Sequence, residues 1–243
     1  MENKIEKTYL FCLPFAGGSA SSFLSWNNYI KDDVCVVPVQ LAGKGERFSD
    51  KPYGSFEEMA DECFLTIIKK IQKENFKYAL FGHSMGSWVV YEICRRIYST
   101  DVRKPMHVFF SGNRAPYFKY QEKKIHNLPD AEFINEVLKY GGSDRSLLEN
   151  DTYGKIFLNI LRNDFRLVEN YVCDKEIISM DCDLSIFNGV QDNIPDAGLL
   201  AWSKCTQKKC GIYYFEGDHF FIFDKANDVT NRIKQMLNEK VSI

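Results

Sequence analysis

Five residues, Gly82-His83-Ser84-Met85-Gly86, set a serine between two glycines in the spacing G-x-S-x-G. A short apolar run, Tyr78 to Phe81, precedes them, and Trp88, Val89, Ile93 and Cys94 follow at helical spacing. A strand that turns sharply into a helix presents the serine hydroxyl on an exposed elbow. The flanking glycines let the two backbones pass where any Cβ would clash. A hydroxyl is a weak nucleophile at neutral pH, so the elbow becomes reactive only with a base to take its proton and a third group to orient that base.

Four histidines are available: His83, His107, His126 and His219. His83 adjoins the serine and points elsewhere, His107 opens an apolar strand, and His126 lies in a polar stretch. His219 follows the strand-like Ile212 to Phe215 on a glycine-containing loop, Phe215-Glu-Gly-Asp-His-Phe-Phe221, and is the expected base. For the orienting acid, Asp192 follows the strand-like Leu184 to Asn188, at the carboxyl end where an open α/β sheet gathers its site. Asp196 lies farther from that end, and Asp218 adjoins the histidine, where approach to its Nδ1 is awkward. The order Ser84, Asp192, His219 is that of α/β-hydrolases.

A tetrahedral oxyanion also needs donors. The Met85 N–H, at the start of the helix after the elbow, is one. A second is expected from Leu13-Pro-Phe-Ala-Gly-Gly-Ser19, with Phe15 or Ala16 as donor. The Gly17-Gly18 pair lacks the spacing of a phosphate-binding loop. No metal or diffusible cofactor is required by this chemistry.

The elements that must position these groups are legible in the pattern. Strands are expected at Thr8–Leu13, Val34–Val39, Tyr78–Phe81, His107–Ser111, Leu184–Asn188 and Ile212–Phe215. They alternate with helical patterns, which predicts a mostly parallel sheet covered on both faces. Phe56, Met59, Ala60, Cys63, Phe64, Ile67, Ile68 and Ile71 form one apolar helical face, with Ser55 and Glu58 as a capping box. A last helix is expected from about Ala226 to Asn238. Between Asn113 and Asp183 the alternation stops, and only Ala131–Tyr140 and Tyr153–Tyr171 read as helices. The expected organisation is therefore an α/β core at 1–112 and 184–243, with residues 113–183 inserted as a helical lid that shapes the site.

Bulk properties exclude several classes. Of 243 residues, 45% are apolar and 26% charged, which fits a globular domain rather than a disordered chain. A net charge of −2 without basic blocks argues against nucleic acid as partner. No run reaches the ~18–20 apolar residues of a bilayer span. The apolar run Tyr9 to Ala16 reads as a first core strand rather than a secretory signal, since Pro14 interrupts it and Glu2 and Glu6 precede it. Eight cysteines without a C-x-x-C pair fit reduced thiols and a cytoplasmic chain.

Leu13-Pro-Phe-Ala-Gly-Gly-Ser-Ala20, Phe23, Gln40-Leu-Ala-Gly-Lys-Gly-Glu-Arg47 and Gly82-His-Ser-Met-Gly86 closely resemble the type II, or editing, thioesterases of nonribosomal peptide and polyketide synthesis. Arg162-Asn-Asp-Phe-Arg-Leu-Val-Glu-Asn-Tyr171 and Gly217-Asp-His-Phe220 resemble them too, so the likeness runs from about residue 8 to 240. Ala42 stands where such enzymes usually have proline, and Asn188-Gly189 and Asp218 also depart from the pattern. The resemblance implies an α/β-hydrolase fold and hydrolysis of acyl or aminoacyl groups from the phosphopantetheine thiol of an acyl-loaded carrier protein, by a monomer without membrane contact. Alternatives are a medium-chain acyl-carrier thioesterase of fatty acid synthesis, a general carboxylesterase, and an inactive carrier-binding module. Arg47 is expected either in a structural salt bridge or at the pantetheine entrance. Phe165, Leu167 and Tyr171 are expected to pack the lid onto the core, with contact to the acyl chain as the alternative.

Overall fold

The computed structural model describes residues 8–31, 34–73, 76–120, 123–142, 144–150 and 152–238, so the acidic residues Glu2 and Glu6 lie outside it. In chain order the elements are β1 (Thr8–Leu13), α1 (Asn27–Ile30), β2 (Val34–Pro38), α2 (Phe56–Lys73), β3 (Tyr78–His83), α3 (Met85–Tyr98) and β4 (His107–Ser111). Three helices follow: α4 (Asp130–Leu138), α5 (Arg145–Leu148) and α6 (Tyr153–Asn170). The chain then forms β5 (Asp183–Gly189), α7 (Asp196–Ala201), β6 (Cys210–Phe215), α8 (Phe221–Asp224) and α9 (Ala226–Asn238).

The strands form one sheet in the order β2-β1-β3-β4-β5-β6, every neighbouring pair parallel. Side chains alternate between its faces. Phe11, Leu13, Leu80, Val108 and Ile186 join one apolar cluster with α2 and α3. Leu10, Cys12, Phe81, Phe109 and Phe187 join another with α1 and α9. Covering both faces makes the strands almost continuously apolar, which is why they read so clearly.

The expected cap of α2 forms with one change. Ser55 Oγ accepts from Glu58 N–H at 3.1 Å, but the Glu58 carboxylate takes the N–H of Gly54 at 2.6 Å rather than that of Ser55. The helices α4 to α6 carry their own apolar cluster, with Phe133, Val137, Leu148, Leu158 and Leu161 at its centre. Tyr171, just after α6, ties them to the core. Its ring stacks on Phe56 at 4.3 Å and its hydroxyl donates to the buried Glu92 carboxylate at 2.7 Å. Among the described residues no helix is long and apolar enough to cross a membrane.

Candidate active site

Ser84 sits between β3 and α3 with φ 53° and ψ −119°, and is the one non-glycine residue with positive φ among those described. Such a conformation costs about 1–3 kcal/mol and persists only where surroundings enforce it. Three hydrogen bonds do so. Ser84 N–H donates to Ser111 O at 2.7 Å, Ser87 N–H donates to Ser84 O at 2.9 Å, and Asn113 Nδ2 donates to the same carbonyl at 3.0 Å. The glycines act by absence. A Cβ on Gly82 would lie 2.2 Å from Gly86 O, and one on Gly86 would lie 2.2 Å from Leu13 O. The second contact lets the loop after β1 lie against the first turn of α3, so that Phe15, Ala16 and Met85 line the same cavity as Ser84.

Asp192 and His219 reach that cavity from two further strand ends. Beyond β5, Val190 N–H donates to Phe215 O and Gln191 N–H to Gly217 O, so the two loops run together. A Cβ on Gly189 would lie 2.2 Å from Asp218 O, and the bare Cα permits this approach. The result is a 2.7 Å hydrogen bond between His219 Nδ1 and Asp192 Oδ2, with both side chains 8% exposed. The rival acids are engaged elsewhere. Asp196 accepts from the Tyr214 hydroxyl, and Asp218 accepts from the Phe220 N–H.

The cavity measures about 380 Å³. Ser84, Asp192 and His219 line one part of it, and Trp88, Phe157, Leu161, Phe165 and Val168 supply apolar wall. Phe165 lines the cavity as well as packing against Phe133 at 5.7 Å. Leu167 and Tyr171 do pack onto the core. Arg47 pairs with Glu62 and Asp50 and does not line the cavity, so the salt-bridge reading holds. The Glu62 carboxyl is held below its ordinary range chiefly by the hydrogen bond from Arg47.

Chain similarity bears directly on this geometry. The thioesterase-domain family model matches residues 8–237. The chain belongs to the thioesterase family. The gramicidin S biosynthesis protein GrsT of Aneurinibacillus migulanus is 31% identical to it, over 93% of this chain and 88% of that one. The medium-chain S-acyl fatty acid synthase thioesterase of Rattus norvegicus is 29% identical, over 94% and 87%. The crystal structure of ClbQ, from the colibactin NRPS/PKS pathway, superposes with a TM-score of 0.89 at 31% identity, covering 96% of this chain and 98% of ClbQ. The fold is that of the α/β-hydrolases, and the thioesterase is a hydrolase.

The other histidines of this thioesterase make contacts of their own. His107 is stacked on Phe109 and shares a 2.9 Å hydrogen bond with Ser185 Oγ. His126 is buried against the Glu169 carboxylate. His83 is fully buried, shares a 2.9 Å hydrogen bond between Nδ1 and Ser111 Oγ, and stands 5.1 Å, ring to ring, from His219. Phe15, Phe220 and Phe221 close around it, leaving His219 as the titratable ring it meets.

Burial, and then the neighbouring His219, hold the His83 pKa well below the ordinary imidazole value of 6.5. Below that pH the unfolded chain binds a proton at this position that the native state refuses. Stability is therefore expected to fall as pH drops from about 6.5 toward the native pKa, with a slope of up to about 1.4 kcal/mol per pH unit. Urea unfolding at pH 7, 6 and 5 should show His83→Gln losing about one proton of this dependence. An unchanged slope would place the proton uptake elsewhere.

Asn113 lines the cavity, and the buried Lys44–Asp164 pair stands behind the loop after β1; motif reading assigned a role to none of the three. A signal for the second existed. Asp164 interrupts the apolar stripe of Leu158, Leu161 and Phe165, and a carboxylate on a buried face requires a partner.

Proposed function

We propose that this thioesterase hydrolyses acyl or aminoacyl groups from the phosphopantetheine arm of carrier proteins, clearing misprimed or stalled synthases. Ser84 Oγ attacks the thioester carbonyl carbon while His219 takes its proton. Asp192, bonded to Nδ1, holds the ring so that Nε2 faces the serine. The N–H groups of Met85 and of Phe15 or Ala16 receive the oxyanion. The C–S bond then breaks, the thiol departs with the proton from His219, and an acyl-serine remains. Water, losing a proton to His219, attacks the ester and releases the acid and the free serine hydroxyl. Residues 113–183 act as a lid over a core formed by 1–112 and 184–243, with a monomer as the working unit. Eight free thiols fit a cytoplasmic setting.

The observation that carries this reading is the 2.7 Å His219–Asp192 hydrogen bond in the cavity that Ser84 also lines. The carrier-bound substrate is supported by likeness to GrsT and ClbQ along nearly the whole chain. The rat relative favours a second reading, in which medium-chain acyl groups on a fatty acid synthase carrier are the substrate. One experiment tests both: mass spectrometry of carrier proteins loaded with aminoacyl, short acyl and medium-chain acyl groups, before and after exposure to the enzyme. Preference for octanoyl and decanoyl carriers would favour the second reading. Faster turnover of simple aryl esters, with no gain from the carrier, would sink both.

Asp192→Asn preserves size but no longer holds the productive tautomer of His219. It is expected to lower kcat about 10⁴-fold, with a smaller change in KM. Steady-state kinetics on a single acyl-carrier substrate checks this, and a loss under tenfold would remove Asp192 from the assigned role.

A further inference from the structure

We propose that Asp164 of α6 is a positioning residue for hydrolysis, fixing the loop that offers the second oxyanion donor and so coupling the helices between β4 and β5 to the reacting centre. The proposal rests on the functional reading above.

Asp164 Oδ2 accepts the Gly17 N–H at 2.7 Å and pairs with Lys44 Nζ, and the Lys44 and Asp164 side chains are 5% and 3% exposed. Gly17 directly follows Phe15 and Ala16, whose N–H groups are the candidate donors. Gly18 N–H closes onto Phe15 O at 2.9 Å, so holding Gly17 holds the whole turn. The bond also removes the Gly17 N–H from the set of possible oxyanion donors.

The packing repeats the message of the hydrogen bond. Gly17 has φ +79°, and a Cβ there would lie 2.6 Å from Leu161 Cδ2. Leu161 and Asp164 are three apart on α6, so one face of that helix bears on the loop through both residues. On the other side Lys44 belongs to a loop braced by Gln40. Gln40 Nε2 donates to Lys44 O at 2.7 Å, and its Oε1 accepts the Ala20 N–H at 3.2 Å.

Removing the partners of a buried charge is strongly destabilising. Shifting α6 outward would unpair Asp164 from Gly17 and Lys44 together. Seating of α6 and assembly of the oxyanion geometry are then a single event, and the enzyme is competent only when α6 is seated. Misplacing a reacting geometry by about 1 Å costs on the order of 10²-fold in rate.

Two double variants separate this role from that of a plain ion pair. Lys44→Met with Asp164→Asn removes both charges but keeps an oxygen for the Gly17 N–H. Lys44→Met with Asp164→Leu removes the charges and the acceptor. The first is expected to keep kcat within about threefold of wild type. The second should lose about 10- to 100-fold in kcat, with KM within about threefold, at a comparable melting temperature. Equal kcat in the two, or a loss confined to KM, overturns the proposal.

Kinetics are read on both an acyl-carrier thioester and a p-nitrophenyl ester. Failure of the carrier reading would appear in wild type, whereas the comparison of variants survives on the ester. Should the leucine form not fold, native-state hydrogen exchange of wild type decides. The Gly17 amide and the α6 amides around Asp164 are expected to open with one common free energy, and independent opening overturns the coupling.

Discussion

Ser84→Ala is expected to lower kcat on an acyl-carrier thioester by about 10⁴- to 10⁶-fold while leaving the fold intact. The alanine retains the backbone that Ser111 and Asn113 brace, so the elbow survives and only the attacking oxygen is lost. Residual turnover would come from the proposed oxyanion donors acting on water, which is why the expected loss is large but finite. A second readout separates nucleophile from general-base roles. Rapid acid quench of wild type with a slowly hydrolysed acyl carrier should trap an acyl group on Ser84, by peptide mass, and none in the alanine form. Unchanged turnover, or an acyl group trapped on another residue, would require a different nucleophile.

Gly86→Ala is expected to be among the most destabilising single changes in the chain, by at least about 3 kcal/mol against a typical total of 5–15. The new methyl would lie 2.2 Å from Leu13 O and 2.9 Å from Pro14 O. Both are backbone atoms of β1 and its following loop, so no flexible side chain can yield. Relief requires separating α3 from that loop, which also carries Phe15 and Ala16 away from Met85. Denaturant midpoints should fall, and whatever soluble protein remains should have lost kcat as well. A midpoint change worth under about 1 kcal/mol would show that the crossing is looser than its geometry implies.

The inner strands β1, β3, β4 and β5 were legible because they are buried on both faces, and such strands read as unbroken apolar runs, whereas the edge strand β6 is only half-buried. β1 and β4 fall within their expected bounds, and β3 runs two residues further, to His83, carrying the pattern up to the elbow itself. Ser84 and His219 were legible for a chemical reason: few residues could do the work proposed for them, and each follows a strand. The acid was harder, because three aspartates lie near two strand ends and only the turn after Gly189 decides which one meets Nδ1. Phe165 shows the limit of helical periodicity. The pattern tells which residues of α6 share a stripe but not what covers each stripe, and one side of this helix faces a cavity. Lys44 and Asp164 lie 120 positions apart, so no local pattern could pair them.

The helices between β4 and β5 leave and re-enter the sheet at adjacent strands, with Ser111 opposite Phe187. The closure entropy of such an excursion grows only with the logarithm of its length, so doubling it adds about 0.6 kcal/mol. The excursion also brings an apolar cluster of its own, besides the residues, Leu167 and Tyr171 among them, that it packs onto the core. Lengthening or exchanging this segment is therefore thermodynamically cheap for the sheet, and a chimaera that keeps Leu161, Asp164 and Tyr171 could take a new acyl pocket without redesign of the strands beneath it.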